Sequence, residues 1–114
     1  MSKYHNVPIE AFGIRFDSRA ELRRYEQLRL LQLSGKIADL VVHPTYELLP
    51  ACTINGKRER AIRYVADFQY DEDGRTVVED VKGGKATQTR EWKLKWRMAR
   101  MRYPDITFRV VEEV

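Results

Sequence analysis

Residues 63–84 read RYVADFQYDEDGRTVVEDVKGG, and their pattern sets the expected topology of the chain. Apolar side chains recur at every second position over Ile62–Tyr70, which is the period of a β-strand with one buried face. Asp73-Gly74 is typical of a tight turn between two paired strands. The segment therefore predicts a β-hairpin whose strands are Arg60–Tyr70 and Thr76–Lys82.

The hairpin brings two carboxylates together. If the loop contains only two residues, Asp67 lies directly opposite Asp80; a longer loop over residues 71–74 makes Asp80 its diagonal neighbour. Side chains alternate along a strand, so both registers place the two aspartates and Lys82 on the same face of the sheet. Glu79 is expected on the opposite face, and only a β-bulge would turn it toward the aspartates.

Two like charges that face each other across a strand pair are destabilising unless something compensates them. A divalent cation such as Mg²⁺ provides that compensation, because it prefers oxygen ligands and is usually held by carboxylates, phosphate and water. A neighbouring lysine steadies the attacking water or the charge that develops at the phosphate. The set of Asp67, Asp80 and Lys82 therefore fits metal-assisted hydrolysis of phosphodiester bonds. The alternative is an ordinary ion pair between Lys82 and Asp80 on a solvated face.

Two helices are predicted, one before and one after this hairpin. Ser18 and Glu21 form a capping-box pattern at the start of the first helix, and Gly35 marks its end. Its leucines spread around the whole helix, which predicts that the core or a second copy of the chain covers more than one side. The second helix is expected to begin near Thr87 or Thr89, either of which can cap it.

The remaining segments complete the expected fold class. Residues 1–16 read as an irregular or short-strand segment, and further strands are predicted over residues 37–42, 46–50 and 106–111. An Asn55-Gly56 turn separates two of the strands. The order of elements predicts one α/β domain over residues 1–114, with a central mixed sheet flanked by helices.

The second helix is strongly basic. Residues 82–102 contain eight Lys or Arg and a single acid, Glu91, in a chain whose formal charge is +4. Four basic side chains recur at helical spacing and form one stripe: Arg90, Lys93, Arg97 and Arg100. This stripe, with Lys85 at the mouth of the proposed site, is expected to follow the phosphates of DNA. The alternative is a solvated face.

The same helix carries two apolar stripes. The stripe expected to face the core consists of Leu94, Met98 and Met101. The other contains Ala99 and the tryptophans Trp92 and Trp96, which are expected in the core or an interface rather than as platforms for base stacking.

These residues together resemble a known group of enzymes. Asp67 in RYVADFQY, followed by Asp80 and Lys82 in VVEDVKGG, is similar to the PD-(D/E)XK nuclease signature, with Ala66 where a proline usually precedes the first aspartate. The order of elements resembles the restriction-endonuclease-like αβββαβ core of that superfamily. More closely, FDSRAELRRYEQL, ELLPA, RAIRYVADF, VVEDVKG and YPDITF resemble a family of phage and prophage proteins placed within it.

The resemblance implies a Mg²⁺- or Mn²⁺-dependent endonuclease that hydrolyses DNA in phage recombination, repair or genome processing, with junction cleavage as one form. Asp67 and Asp80 would hold the metal, the carbonyl of Val81 would add a ligand, and Lys82 would activate the water. A glutamate on the first helix completes the site in several members, and Glu21 is the matching residue; its alternative role is the capping box. Small members often act as homodimers.

Several other classes of protein are disfavoured. The single Cys52 excludes an internal disulfide and a cysteine metal cluster, and His5 and His43 have no partner at metal-ligand spacing. No GxGxxG, Walker loop, nucleophile elbow or HExxH is present, so no nucleotide cofactor is expected. No segment has the length of a membrane span or the pattern of a secretory signal, which predicts a cytoplasmic protein. The resemblance to phage and prophage proteins implies that its cell is a bacterial host.

Two rival functions stay open from the sequence. One is a catalytically inactive nucleic-acid-binding module that keeps the fold and the basic helix. The other is an interaction subunit of a phage complex, in which Trp92 and Trp96 make the contact.

Overall fold

A computed structural model gives the structure of residues 8–83 and 87–112. Its elements follow in chain order: β1 (Ile9–Ala11), β2 (Ile14–Phe16), α1 (Arg19–Leu33), β3 (Ala38–Val42), β4 (Thr45–Leu49), β5 (Cys52–Ile54), β6 (Lys57–Glu59), β7 (Ile62–Val65), β8 (Phe68–Glu72), β9 (Arg75–Lys82), α2 (Arg90–Arg102) and β10 (Thr107–Glu112). The two predicted helices and the predicted turns are present, and residues 9–16 form a short hairpin.

The central sheet is mixed and has the strand order β10-β9-β8-β3. Strands β3, β8 and β9 pair antiparallel, whereas β10 pairs parallel to β9. A parallel pair needs a long crossover connection, and α2 provides it between β9 and β10. The α/β fold with a central mixed sheet and two helices is therefore confirmed. Without the β4–β7 insertion, the chain runs α1, β3, β8, β9, α2, β10, which is the αβββαβ order.

Strand β9 is buried on both faces, because a separate apolar cluster covers each of them. Val77 belongs to the cluster beneath α1, which includes Phe16, Leu28, Ile37, Phe68 and Tyr70. Val78 belongs to the cluster beneath α2, which includes Tyr46, Leu48, Tyr64, Ala66, Trp96 and Ala99. A strand covered on both sides reads as a continuous apolar run, which explains the adjacent valines.

The single strand predicted over Arg60–Tyr70 was wrong, because the chain changes sheets in the middle of it. β7 pairs with β4 in a sheet of two strands, while β8 joins the central sheet. Between them the Ala66 N–H donates to the Pro44 carbonyl, at 3.0 Å, and the Asp67 carbonyl accepts from the His43 N–H, at 2.9 Å. The apolar period of two therefore continues through the segment while the buried face switches from the α2 cluster to the α1 cluster.

The predicted helix starts are confirmed by their caps. The Ser18 hydroxyl accepts from the Glu21 N–H at 3.2 Å, and the Thr89 hydroxyl accepts from the Trp92 N–H at 3.1 Å. Thr89, rather than Thr87, is thus the cap of α2. Each cap satisfies a backbone donor that has no partner within its own helix.

The predicted core face of α2 was wrong for Leu94 and Met101, whereas Met98 does pack against the core. Leu94 and Met101 are 56% and 72% exposed, whereas Trp96 and Ala99 are buried. The Trp96 ring packs edge-on against Tyr64 and Phe108, with centroids 6.0 and 5.5 Å apart. An indole buries more apolar area than a leucine or methionine, and the small Ala99 lets the helix approach the sheet.

Helix α1 buries only part of its apolar surface. Leu28 is fully buried, whereas Leu30 and Leu33 are mostly exposed. Neither α1 nor α2 is long and apolar enough to cross a membrane, within the residues that the structure describes.

Truncating leucines on α1 is expected to have unequal effects. Leu28→Ala should lower the free energy of unfolding by about 2–4 kcal/mol, because it leaves a cavity in the α1 cluster. Leu33→Ala, the matched control, should change it by less than about 0.5 kcal/mol, since Leu33 is 79% exposed. Urea unfolding followed by tryptophan fluorescence measures both. A large loss in Leu33→Ala that grows with protein concentration would show instead that a second copy covers this leucine.

Candidate active site

A cavity of about 270 Å³ opens where β9 ends, beside the first turn of α1 and the start of α2. It is lined by Asp17, Ser18, Ala20, Glu21, Asp67, Asp80, Val81, Lys82, Gly83, Thr87 and Thr89. The five residues proposed from the sequence to hold or assist a metal therefore line one cavity, although they come from three separate elements of the chain.

The β8–β9 hairpin has the two-residue register, with Glu72 paired to Arg75 and Phe68 paired to Glu79. Asp67 immediately precedes Phe68 and so comes level with Asp80. The Val81 N–H donates to Asp67 Oδ2 at 2.6 Å, and Lys82 Nζ lies 3.1 Å from Asp80 Oδ1. The convergence of the three side chains follows from this register.

Two aromatic residues that sequence reasoning did not place in the site hold Asp80. The hydroxyl of Tyr64 and the indole N–H of Trp92, the latter at 3.0 Å, both donate to Asp80 Oδ2. Lys82 Nζ also lies 4.5 Å from the centre of the Trp92 ring. Burial, and then the Asp80 charge, raises the pKa of Tyr64, so its hydroxyl stays a donor. Asp80 is thereby fixed in one orientation, with Oδ1 beside the lysine.

Asp67 lies where its charge is poorly compensated. Burial is the largest cause that raises its pKa, and the neighbouring charges of Asp80 and Glu21 raise it further. The Val81 N–H and Lys82 oppose this shift without cancelling it. Three carboxyl groups thus repel one another across one small cavity, an arrangement that a bound cation would relieve.

Glu21 has partners that the sequence did not predict. Its Oε1 lies 2.6 Å from His43 Nε2, and its Oε2 accepts from the Asp17 N–H at 3.2 Å. The capping box is therefore only half formed, because the Glu21 carboxylate does not return to Ser18. His43 has no partner at metal-ligand spacing along the sequence, but the fold brings partners to it. Ligand atoms of Asp17, Glu21 and His43 all lie within 4.8 Å of one another. Burial raises the pKa of Glu21.

Glu79 lies on the opposite face of β9, as alternation predicts. It is fully buried and forms a two-point ion pair with Arg24, whose Nε and Nη2 lie 2.7 and 2.6 Å from its oxygens. The Tyr70 hydroxyl donates to it as well. Glu79 is therefore fully engaged under α1 and turned away from the cavity.

The basic stripe of α2 is exposed along its whole length. The described residues place no carboxylate within ion-pair distance of Arg90, Lys93 or Arg97. Arg100 lies over the Trp96 ring at 6.0 Å. Lys85, proposed as a phosphate contact, falls outside the described residues.

Comparison with known proteins places the chain in a family. A family model described as a protein of unknown function, DUF1064, matches residues 1–113. The chain belongs to the DUF1064 family. No curated protein and no solved structure matches it significantly. For this DUF1064 protein, the chemistry and geometry of the cavity residues are therefore what indicate their roles.

Replacing Asp67 by asparagine is expected to stabilise this DUF1064 protein when no metal is present. The pKa of Asp67 is higher in the folded protein than in the unfolded chain. The folded state is therefore more stable at low pH, where Asp67 is protonated, and loses stability as the pH rises and the carboxyl group ionises. Asparagine is always neutral, and its carbonyl oxygen still accepts from the Val81 N–H. In EDTA near about pH 8 the gain should be about 1–2 kcal/mol, shrinking toward zero near about pH 4.

Adding Mn²⁺ should reverse this order. Wild-type protein should gain about 2.7 kcal/mol when the ion is present at about 100 times its dissociation constant, whereas the variant should gain much less. Thermal unfolding with and without Mn²⁺ measures both effects, and Asp105→Asn, at an exposed turn, is the control. A metal-free variant less stable than wild type near neutral pH would contradict the repulsion described above.

Proposed function

We propose that the protein is a Mg²⁺- or Mn²⁺-dependent endonuclease that hydrolyses DNA phosphodiester bonds through a site of the PD-(D/E)XK type. The observation that carries the proposal is the meeting of Asp67, Asp80 and Lys82 in one cavity, where Glu21 adds a third carboxylate. The αβββαβ order of the core and the similarity of the signature segments support it further.

The donor atoms in the cavity fit a hard divalent cation. Carboxylate oxygens of Asp67 and Asp80, the carbonyl of Val81 and the carboxylate of Glu21 are all oxygen ligands, which Mg²⁺ and Mn²⁺ prefer. Neither Cys52 nor any described sulfur lines the cavity. Burial, and then the charges of Asp80 and Glu21, raise the pKa of Asp67, and a divalent cation bound there would favour its ionised form.

Each residue of the site has a definite task in this proposal. A bound cation would lower the pKa of a coordinated water and neutralise charge at the phosphate. Tyr64 and Trp92 occupy Asp80 Oδ2, which leaves Oδ1 for the cation. Lys82 lies beside Oδ1 with its ammonium largely buried, where it orients the attacking water and stabilises charge that builds on the phosphate oxygens.

Glu21 and His43 form the outer part of the site. The His43 ring and the Asp17 N–H hold the Glu21 carboxylate in the first turn of α1, where the helix dipole favours a negative charge. We therefore assign Glu21 as a ligand that its neighbours orient, and His43 as a positioning residue.

The substrate assigned to this site is DNA. The stripe of Arg90, Lys93, Arg97 and Arg100 begins one residue after Thr89, which lines the cavity, so phosphates held along α2 would lead to the metal site. A homodimer is also proposed, and two sites in one dimer would cut both strands of a duplex or a branched junction. The work would take place in the cytoplasm of a bacterial host, in phage recombination, repair or genome processing.

A catalytically inactive DNA-binding module is the alternative function that would also use the basic stripe. Metal binding distinguishes the two functions, because only the nuclease needs a metal ion in the cavity. The interaction subunit gains no support from the tryptophans, because Trp96 is buried in the core and Trp92 contacts Asp80.

Removing either charged partner in the cavity should abolish cleavage. Asp80→Asn and Lys82→Ala are each expected to lower the rate of Mg²⁺-dependent DNA cleavage by about 100-fold or more, because each removes charge needed in the transition state. The asparagine carbonyl still accepts from Tyr64 and Trp92, so the fold and DNA binding should persist. In calorimetry the heat of Mn²⁺ binding should disappear in Asp80→Ala.

The controls for that experiment are Asp105→Asn and Lys36→Ala, which change an exposed acid and an exposed amine outside the cavity. Both should cleave DNA like the wild-type protein, and EDTA should stop every active variant. Cleavage that survives Lys82→Ala, or that EDTA does not inhibit, would refute the proposed site.

The basic stripe is expected to act in binding rather than in chemistry. Arg97→Ala should weaken DNA binding about fivefold at about 0.15 M salt and lower the salt dependence of binding by about one phosphate contact. Arg75→Ala, an exposed arginine at the opposite end of β9 from Lys82, is the matched control. Fluorescence anisotropy with a labelled duplex measures both, and equal binding by the two variants would place DNA elsewhere.

A further inference from the structure

The hairpin of β5 and β6 adds almost nothing to the core. Both strands contain three residues, and their pairing runs from Cys52 with Glu59 to Ile54 with Lys57. Every side chain from Leu49 to Arg58 is exposed. An isolated pair of short strands is at best marginally stable, so burial does not explain why the chain has this hairpin.

The overall dimensions are those of an elongated molecule. The radius of gyration of the described Cα atoms is 15.7 Å, whereas about 13 Å is expected for a compact chain of this length. The longest and shortest principal extents are 52 and 27 Å. The β5–β6 hairpin, whose side chains from Leu49 to Arg58 are all exposed, is called the arm below.

The arm and its base carry uncompensated positive charge. Lys57 and Arg58 follow the turn at the tip, while Arg60 and Arg63 lie at the base. Within residues 8–83 and 87–112, none of these four cations has a carboxylate within ion-pair distance. The acid nearest to them in the chain is Glu59, so the arm presents net positive charge to a partner.

A cleft joins the base of the arm to the candidate active site. Arg63 lines a cleft of about 280 Å³ together with Thr89, Trp92 and the ion pair of Lys95 with Glu91, whose charged atoms lie 3.3 Å apart. Thr89 also lines the cavity that contains Asp67 and Asp80. The cleft therefore connects the metal site, across the start of α2, to β7 and the base of the arm, and Arg63 is its cation without a carboxylate partner among the described residues.

The length of this path suits a nucleic acid. β7 lies between the arm and Asp67, and Asp67 is nine positions after Arg58 in the chain. Nine extended residues span at most about 30 Å, which corresponds to about nine base pairs of duplex. Lys57 and Arg58 are consecutive in β6 and so point to opposite faces of the arm.

We propose that the β5–β6 hairpin is a DNA-binding arm that enters a groove of the duplex within one helical turn of the phosphate held at the metal site. A two-stranded ribbon fits the major groove, which is about 12 Å wide. Phosphate backbones flank that groove on both sides, so cations on the two faces of the arm each meet one. The inference deepens the proposed function, because it takes DNA as the substrate of the same site.

The test compares two double variants that lose the same charges. Lys57→Ala/Arg58→Ala alters the arm, whereas Lys36→Ala/Arg75→Ala removes one lysine and one arginine that are exposed at the ends of α1 and β9 remote from the cavity. The probes are a labelled duplex of about two helical turns and a single strand of the same length. Fluorescence anisotropy in EDTA is measured over a series of salt concentrations.

The arm variant is expected to bind the duplex about 30-fold more weakly at about 0.15 M salt, with a salt dependence lowered by about two phosphate contacts. The control variant should stay within about threefold of wild type. Three results would each contradict the proposal that the arm binds DNA. They are equal losses of duplex affinity in the two variants, a larger loss of affinity for the single strand, and no duplex binding by wild-type protein.

Cleavage assays separate this proposal from the nuclease assignment. If wild-type protein fails to cut DNA with Mg²⁺ while the arm variant loses duplex binding, the nuclease assignment fails and the arm stands. If wild-type protein cuts DNA while the arm variant binds like the control, the arm fails and the nuclease assignment stands.

Discussion

The repulsion between carboxylates at the ends of β8 and β9 is the constraint around which the site is arranged. Asp67 comes level with Asp80, and Glu21 approaches from the first turn of α1. Burial removes the water that would screen these charges, so the pKa of Asp67 rises. Folding holds the acids together because the hairpin register and the cap of α1 are set by backbone bonds and apolar packing elsewhere.

The adjacent residues Glu79 and Asp80 show two ways of burying a carboxylate. Glu79 points toward α1, where Arg24 and Tyr70 satisfy its oxygens completely. Asp80 points toward α2 and has two donors on one oxygen, while its other oxygen faces only Lys82. The first arrangement is that of a structural ion pair, and the second leaves an oxygen directed at a cavity, which is the property that a metal ligand needs.

The distribution of surface charge agrees with the proposed roles of the basic surfaces in binding and of the cavity in chemistry. Arg90, Lys93 and Arg97 on α2 and the cations of the arm lack carboxylate partners among the described residues, whereas the cavity is acidic. A polyanion attracted to the basic surfaces would meet the acids only through a cation. This combination fits binding and metal-dependent chemistry at one phosphate better than it fits either property alone.

Much of the fold and the centre of the site could be predicted because they depend on local rules. The Asp73-Gly74 turn fixes the register, strand alternation places Asp67, Asp80 and Lys82 together, and Ser18 and Thr89 cap their helices. These features follow from backbone conformation and side-chain period, which neighbouring residues determine.

The tertiary structure alone decided which distant side chains complete the site. Tyr64 and Trp92 reach Asp80 because the chain changes sheets before Asp67 and because α2 packs chiefly through Trp96 and Ala99. His43 meets Glu21 because β3 lies beside β8. Such contacts depend on how apolar surfaces from separate elements fit together, and no local pattern of residues encodes that fit.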